Sequence, residues 1–161
     1  MKKISQVKEI VNNLIQKKLT IAVAESCTGG YVCHMITNVP GSSKTFDRGI
    51  ISYSNEAKIE LLNVDPDSIQ ENGAVSEPVA YQMAKNVREL SSVDIGVGIT
   101  GIAGPTGGTP EKPIGLVYIG YSDPKGTLVK KFTFDADRIT FKQEVLGKVM
   151  LLIDELGSST T

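Results

Sequence analysis

Residues 19–37 read "LTIAVAESCTGGYVCHMIT". The first half is short, apolar and β-branched, the pattern of a buried strand. It stops on Glu25 and Ser26, turns through Thr28, Gly29 and Gly30, and goes on as a helix from Thr28 to about Thr37. A strand that runs through a tight turn into a helix is a building unit of α/β domains.

The flanking sequence extends that alternation. Upstream, Ile4, Val7, Ile10, Val11, Leu14 and Ile15 recur at steps of three and four, which predicts a helix over 4–18 with one apolar stripe. Downstream, "TFDRGIISYS" predicts a strand and "NEAKIELLNV" a helix capped by Asn55, with "DPDSIQENG" as a turn region. "SEPVAYQMAKNVRELS" opens on a Ser cap with Pro just inside, the start of a four-turn helix. "VDIGVGIT" predicts a buried strand, "IGLVYIGYSD" and "TLVKKFTFD" a hairpin around "PKG", and residues 139–156 a closing helix. No repeat or linker divides the chain. The expectation is α/β: a three-layer α/β/α single domain over residues 1–161 with a mixed β-sheet. The pattern does not supply the strand order.

Composition narrows the function. With 40% hydrophobic and 22% charged residues and a net charge of -1, the chain has the balance of a globular domain and no electrostatic footprint for nucleic acid. No apolar run approaches the ~18 residues of a membrane span, and the amphipathic start is no signal peptide. Cys27 and Cys33 are too few for a disulfide scaffold, so a reduced, cytoplasmic setting is expected. His34 is the only histidine, which excludes a two-histidine zinc site, and no metal is expected.

Three stretches carry chemistry. Ser26 is placed at or near a helix N-terminus, where free N–H groups and the dipole favour negative charge. A hydroxyl nucleophile needs such a turn; a helix cap by Ser26 or Thr28 is the plainer reading. Cys27 is the rival nucleophile, although neighbours on a turn point in different directions. If Ser26 attacks, its base is not His34, two turns into the helix; a lysine of lowered pKa serves, and Lys58 follows Tyr53 on the next strand–helix junction. Alone, Lys58 reads as an ordinary solvent-facing lysine. The third stretch, "GVGITGIAGPTGG", has glycines at 96, 98, 101, 104, 107 and 108. It lacks the Gly-Lys-Ser/Thr of a Walker loop, and its G-x-G-x-x-G lies mostly within the strand, yet so long a Gly-rich loop suits close approach of backbone to a ligand.

Together, Ala24–Gly30, Val39–Ser43, Ser52–Lys58, Gly73–Ser76 and Thr100–Gly115 resemble, in order, the motifs of the CinA C-terminal domain family, which includes stand-alone (PncC-like) nicotinamide-nucleotide amidohydrolases. The resemblance implies hydrolysis of the carboxamide of nicotinamide mononucleotide (NMN) to nicotinate mononucleotide and ammonia, without a cofactor. It makes Ser26 the nucleophile, Lys58 its proton partner and Tyr53 a supporting hydroxyl. Thr28, Gly29, Asn55, Thr100 and Gly101 then face substrate, and Arg138 meets the phosphate. The family's late G-D-R motif stands here as Ala136-Asp137-Arg138. Glu25 is a candidate to balance the substrate's positive ring. A homo-oligomer is expected, with no nucleic-acid or membrane partner. The competing expectation is a nucleotide-binding or competence-linked module that kept the pocket and lost turnover.

Overall fold

The apolar run after the first helix becomes strand β1 (Ile21–Glu25), buried at every residue. The computed structural model describes residues 2–158; of the span expected as one domain, Met1 and residues 159–161 lie outside the described residues. Helix α1 (Lys2–Lys17) precedes β1, and α2 (Tyr31–Thr37) follows it. After a 3-10 turn at Ser42–Lys44 come β2 (Phe46–Ile51), α3 (Asn55–Leu62), α4 (Pro66–Asn72) and α5 (Glu77–Ser91). Then β3 (Ile95–Gly101), the hairpin β4 (Leu116–Asp123) and β5 (Gly126–Thr133), and α6 (Arg138–Gly157) complete the chain.

The five strands form one sheet in the order β2-β1-β3-β4-β5. β1 pairs in parallel with β2 and β3, and β4 runs antiparallel to both β3 and β5. The mixed three-layer α/β/α architecture is therefore as the sequence predicted. The chain leaves β1 toward β2 on one side and returns to β3 on the other. That reversal makes the carboxyl ends of β1 and β3 a topological switch point, where open α/β sheets hold their ligands.

Period-two alternation sorts each strand between the two helical layers. Ile21, Val23, Ile95, Val97 and Ile99 pack with Val7, Val11, Val32, Phe141, Val145 and Val149 of α1, α2 and α6. Ala22 and Ala24 pack on the other face with Leu62, Val79, Met83 and Val87 of α3 and α5. On that second face β3 carries Gly96 and Gly98. A Cβ on Gly98 would stand 2.5 Å from the Ala84 amide nitrogen and 2.7 Å from Met83 Cβ. These two glycines let α5 lie against the sheet, which explains why the G-x-G-x-x-G match sits inside a strand. They are packing residues, not part of a ligand loop.

Some local expectations shift. "DPDSIQENG" is not a turn but α4, with Asp65 as N-cap accepting from Asp67 N and Pro66 at the first position. Ser54, not Asn55, caps α3, its side chain accepting from Ala57 N at 3.0 Å. Ser76 stands at the cap position of α5, but its hydroxyl turns back to donate to the Gly73 carbonyl.

Candidate active site

Alternation along β1 also builds the site. Ala22 and Ala24 face α3 and α5, so Ser26, next in that phase, leaves the sheet on the same side. Glu25 falls in the phase of Ile21 and Val23 and points to the α2 layer. The backbone here is fixed by both neighbouring strands: Ser26 N donates to Ile99 O at 3.0 Å, and Ser52 N donates to Glu25 O at 2.8 Å.

Lys58, on the first turns of α3, reaches Ser26 from the facing layer. Its Nζ donates to Ser26 Oγ at 2.9 Å, to Ser52 O at 2.9 Å and to Tyr53 O at 3.2 Å. The residue is 1% exposed, so it is not the solvent-facing lysine of its local sequence. Burial pushes the ammonium pKa below the ordinary lysine value. A neutral amine has two N–H donors and one lone pair. The carbonyls of Ser52 and Tyr53, with Ser54 O farther off at 3.5 Å, surround the two donors, which leaves the lone pair of the neutral amine for the Ser26 hydroxyl.

Helix α2 begins at Tyr31, five residues past Ser26, and Ser26 is not at its N-terminus. The free N–H groups expected there are committed elsewhere. Gly30 N and Val32 N donate to Glu25 Oε2 at 3.0 and 3.2 Å, and Cys33 N donates to Oε1 at 2.7 Å. The Thr28 hydroxyl adds a fourth bond, to Oε2 at 2.5 Å, and Gly29 N donates to Ser26 O. Glu25, fully buried, is thus the anion at the start of α2, and neither Ser26 nor Thr28 caps it.

A cavity of about 250 Å³ opens beside Ser26, lined among others by Tyr53, Asn55, Lys58, Thr100, Gly101 and Arg138. Thr100 is buried and donates to Ala74 O at 2.8 Å, tying β3 to the loop before α5. Gly101 is required by packing: a Cβ there would lie 2.6 Å from Leu116 O and 3.1 Å from Cys27 Sγ. Tyr53 contributes its carbonyl to Lys58, while its side chain stands mostly exposed. Arg138 opens α6 and donates from Nε to Gly104 O at 3.0 Å, joining the Gly-rich loop to the helix. Ala136, in place of the family glycine, is not among the residues of positive φ, so its turn does not require glycine. Thr28 and Gly29 do not line this cavity: Thr28 is buried against Glu25, and Gly29 lies near Lys142. Among the described residues no group of three His, Cys, Asp or Glu side chains is placed to hold a metal ion, and no helix is long and apolar enough to cross a membrane.

The family model of the CinA C-terminal domain matches residues 3–156. The chain belongs to that family. A competence-damage inducible protein of Thermoanaerobacter pseudethanolicus is 52% identical over 134 residues, covering 83% of this chain and 32% of that protein. A CinA-like protein of Chlorobaculum tepidum is 47% identical over 156 residues, covering 91% of this chain and 37% of that protein. The chain thus spans about a third of the length of these curated relatives. Among solved structures, the competence/damage inducible protein CihA of Agrobacterium tumefaciens superposes with a TM-score of 0.89 at 33% identity, covering 94% of this chain and 96% of that one.

In this CinA-family domain four of the five sequence motifs reach one cavity, and Val39–Ser43 does not line it. Those at 24–30, 52–58 and 100–115 meet at the cavity, and Ala74 and Val75 of the Gly73–Ser76 motif form part of its wall. Cys27 also touches the cavity, contrary to the expectation that adjacent turn residues diverge, but its thiol is buried and its pKa is pushed up to about 12 by burial. His34 is exposed on α2, beside Asn38 and away from the cavity lining. The carbonyls of Ser52 and Tyr53 carried no side-chain signal in the sequence. Glu25 did: counting by two from Ala22 along β1 separates it from Ser26.

Proposed function

We propose that the chain is an amidohydrolase that deamidates NMN to nicotinate mononucleotide through a Ser26 acyl-enzyme, in recycling of pyridine nucleotides. The observation that carries this reading is the 2.9 Å bond between Lys58 Nζ and Ser26 Oγ in a buried pair. Neutral Lys58 accepts the Ser26 proton as Oγ attacks the carboxamide carbon. The resulting tetrahedral oxyanion needs N–H donors outside the set held by Glu25. Cys27, directly after the nucleophile, and Ala103 and Gly104 on the cavity wall supply them. The Lys58 ammonium then protonates the carboxamide nitrogen, the C–N bond breaks, and ammonia leaves.

Water attacks the ester carbon in the second half, giving its proton to Lys58. Collapse of that intermediate breaks the bond to Oγ, and Lys58 returns the proton to Ser26. The product is the pyridine carboxylate. The substrate's positive ring favours a neutral Lys58, the form each attack requires. The cavity is just below the roughly 300 Å³ at which small-molecule sites begin, enough for the ring and carboxamide. Ribose and phosphate extend toward the rim, where Arg138 stands with its two terminal nitrogens as donors.

Ammonia release from NMN by the purified chain is the deciding assay. Binding of NMN without ammonia release would favour the non-catalytic module instead.

A further inference from the structure

We infer that Glu25 is a positioning residue for Ser26, acting through the turn between them rather than on substrate. Four donors converge on its buried carboxylate: the Thr28 hydroxyl and the amides of Gly30, Val32 and Cys33. Between them they tie residues 28, 30, 32 and 33 back to the end of β1. Ser26 lies inside that closed loop, with its own N–H held by Ile99 O and its carbonyl by Gly29 N. The Oγ therefore meets Lys58 with little freedom of its own, which is the condition for a near-attack geometry.

A carboxyl group rather than an amide is required by counting donors. Oε2 accepts from three groups and Oε1 from the Cys33 amide, so both oxygens are used as acceptors. An amide in the same place sets an NH2 against one of these donors and leaves it unpaired in a buried site. Among the described residues no lysine or arginine is hydrogen-bonded to Glu25; its partners are the amides at the start of α2, the Cys33 thiol and the Thr28 hydroxyl. Glu25 is fully buried and does not line the cavity, so its effect on substrate passes through Ser26.

The inference rests on Ser26 as the nucleophile but not on the identity of the substrate, and its test uses a substrate-independent readout. A fluorophosphonate probe measures the reactivity of Ser26 directly, per folded molecule, well below the melting temperature. Glu25→Gln is expected to lower the labelling rate by roughly 10–100-fold, the scale of an ångström-level misplacement. On NMN it should lower kcat by a similar factor and leave KM within about twofold. A lower melting temperature with unchanged labelling would overturn the inference, for Glu25 would then only hold the fold. If Glu25→Gln does not fold, Thr28→Val decides, since it removes one of the four donors. A smaller loss of labelling, recovered in Thr28→Ser, supports the inference, and unchanged labelling in Thr28→Val overturns it. Should the wild type label but release no ammonia from NMN, the substrate reading fails while the labelling rates still decide the role of Glu25.

Discussion

Ser26 and Lys58 stand 32 positions apart in the chain, yet their side chains meet at 2.9 Å in the interior. One lies at the end of a central strand, the other on a helix that follows the edge strand beside it. The strand pairing of β1 with β2 brings those two strand ends together. Most of the expected behaviour of the protein follows from that meeting.

Ser26→Ala should abolish ammonia release while leaving melting temperature and NMN binding close to wild type, because only the reacting oxygen is removed. Cys27→Ala should keep substantial activity, since a thiol with its pKa near 12 is protonated at neutral pH and a poor nucleophile. Assay of both variants under identical conditions separates the two assignments. A dead Cys27→Ala beside an active Ser26→Ala would reverse them.

Lys58 should govern the pH profile. Its pKa is lowered by burial, so kcat/KM is expected to rise with pH along one ionisation below lysine's usual ~10.4. Lys58→Arg should be nearly inactive, as a guanidinium holds its proton at any working pH. The same shift has a stability signature. Between the lowered pKa and ~10.4 the unfolded chain binds more protons at this site than the folded one, so stability gains with rising pH there. Denaturant melts of wild type and Lys58→Met across that range should differ by this slope; parallel curves would mean Lys58 is not depressed.

Arg138→Ala should raise KM for NMN far more than it lowers kcat. Loss of one charge-assisted contact, about 1.5–3 kcal/mol, corresponds to roughly 10–100-fold in affinity. Nicotinamide riboside, which lacks the phosphate, should be affected much less. An equal loss for both substrates would indicate that Arg138 acts by holding the loop through Gly104 O.

Gly98→Ala should destabilise without touching the cavity. The added methyl would stand 2.5 Å from the Ala84 amide nitrogen of α5, so strand or helix must shift, and overpacking of this kind costs about 1–3 kcal/mol. In a domain of this size that is a fall of roughly 2–4 °C in Tm per kcal/mol, readable by calorimetry. KM in the folded fraction should stay near wild type.

Much of the fold was legible before any coordinates, because its signals are local. Periodicity placed α1, α5, α6, all five strands and the β4–β5 hairpin, and the motif resemblance singled out residues 24–30, 52–58 and 100–115. What the sequence by itself could not decide was every relation carried by distant backbone. The strand order depends on which edges pair, and the pattern of one strand does not name its neighbour. The burial of Lys58 depends on a helix from one side of the sheet covering the end of β1. In a local window that lysine reads as any exposed helical lysine. The amides at the start of α2 belong to Glu25 only because the turn folds back onto it, so they are not free for another anion. Gly96 and Gly98 carried a ligand-loop pattern that the close approach of α5 explains as packing. Sequence spacing fixes which way a side chain leaves its own strand or helix; what it meets there is set by tertiary packing.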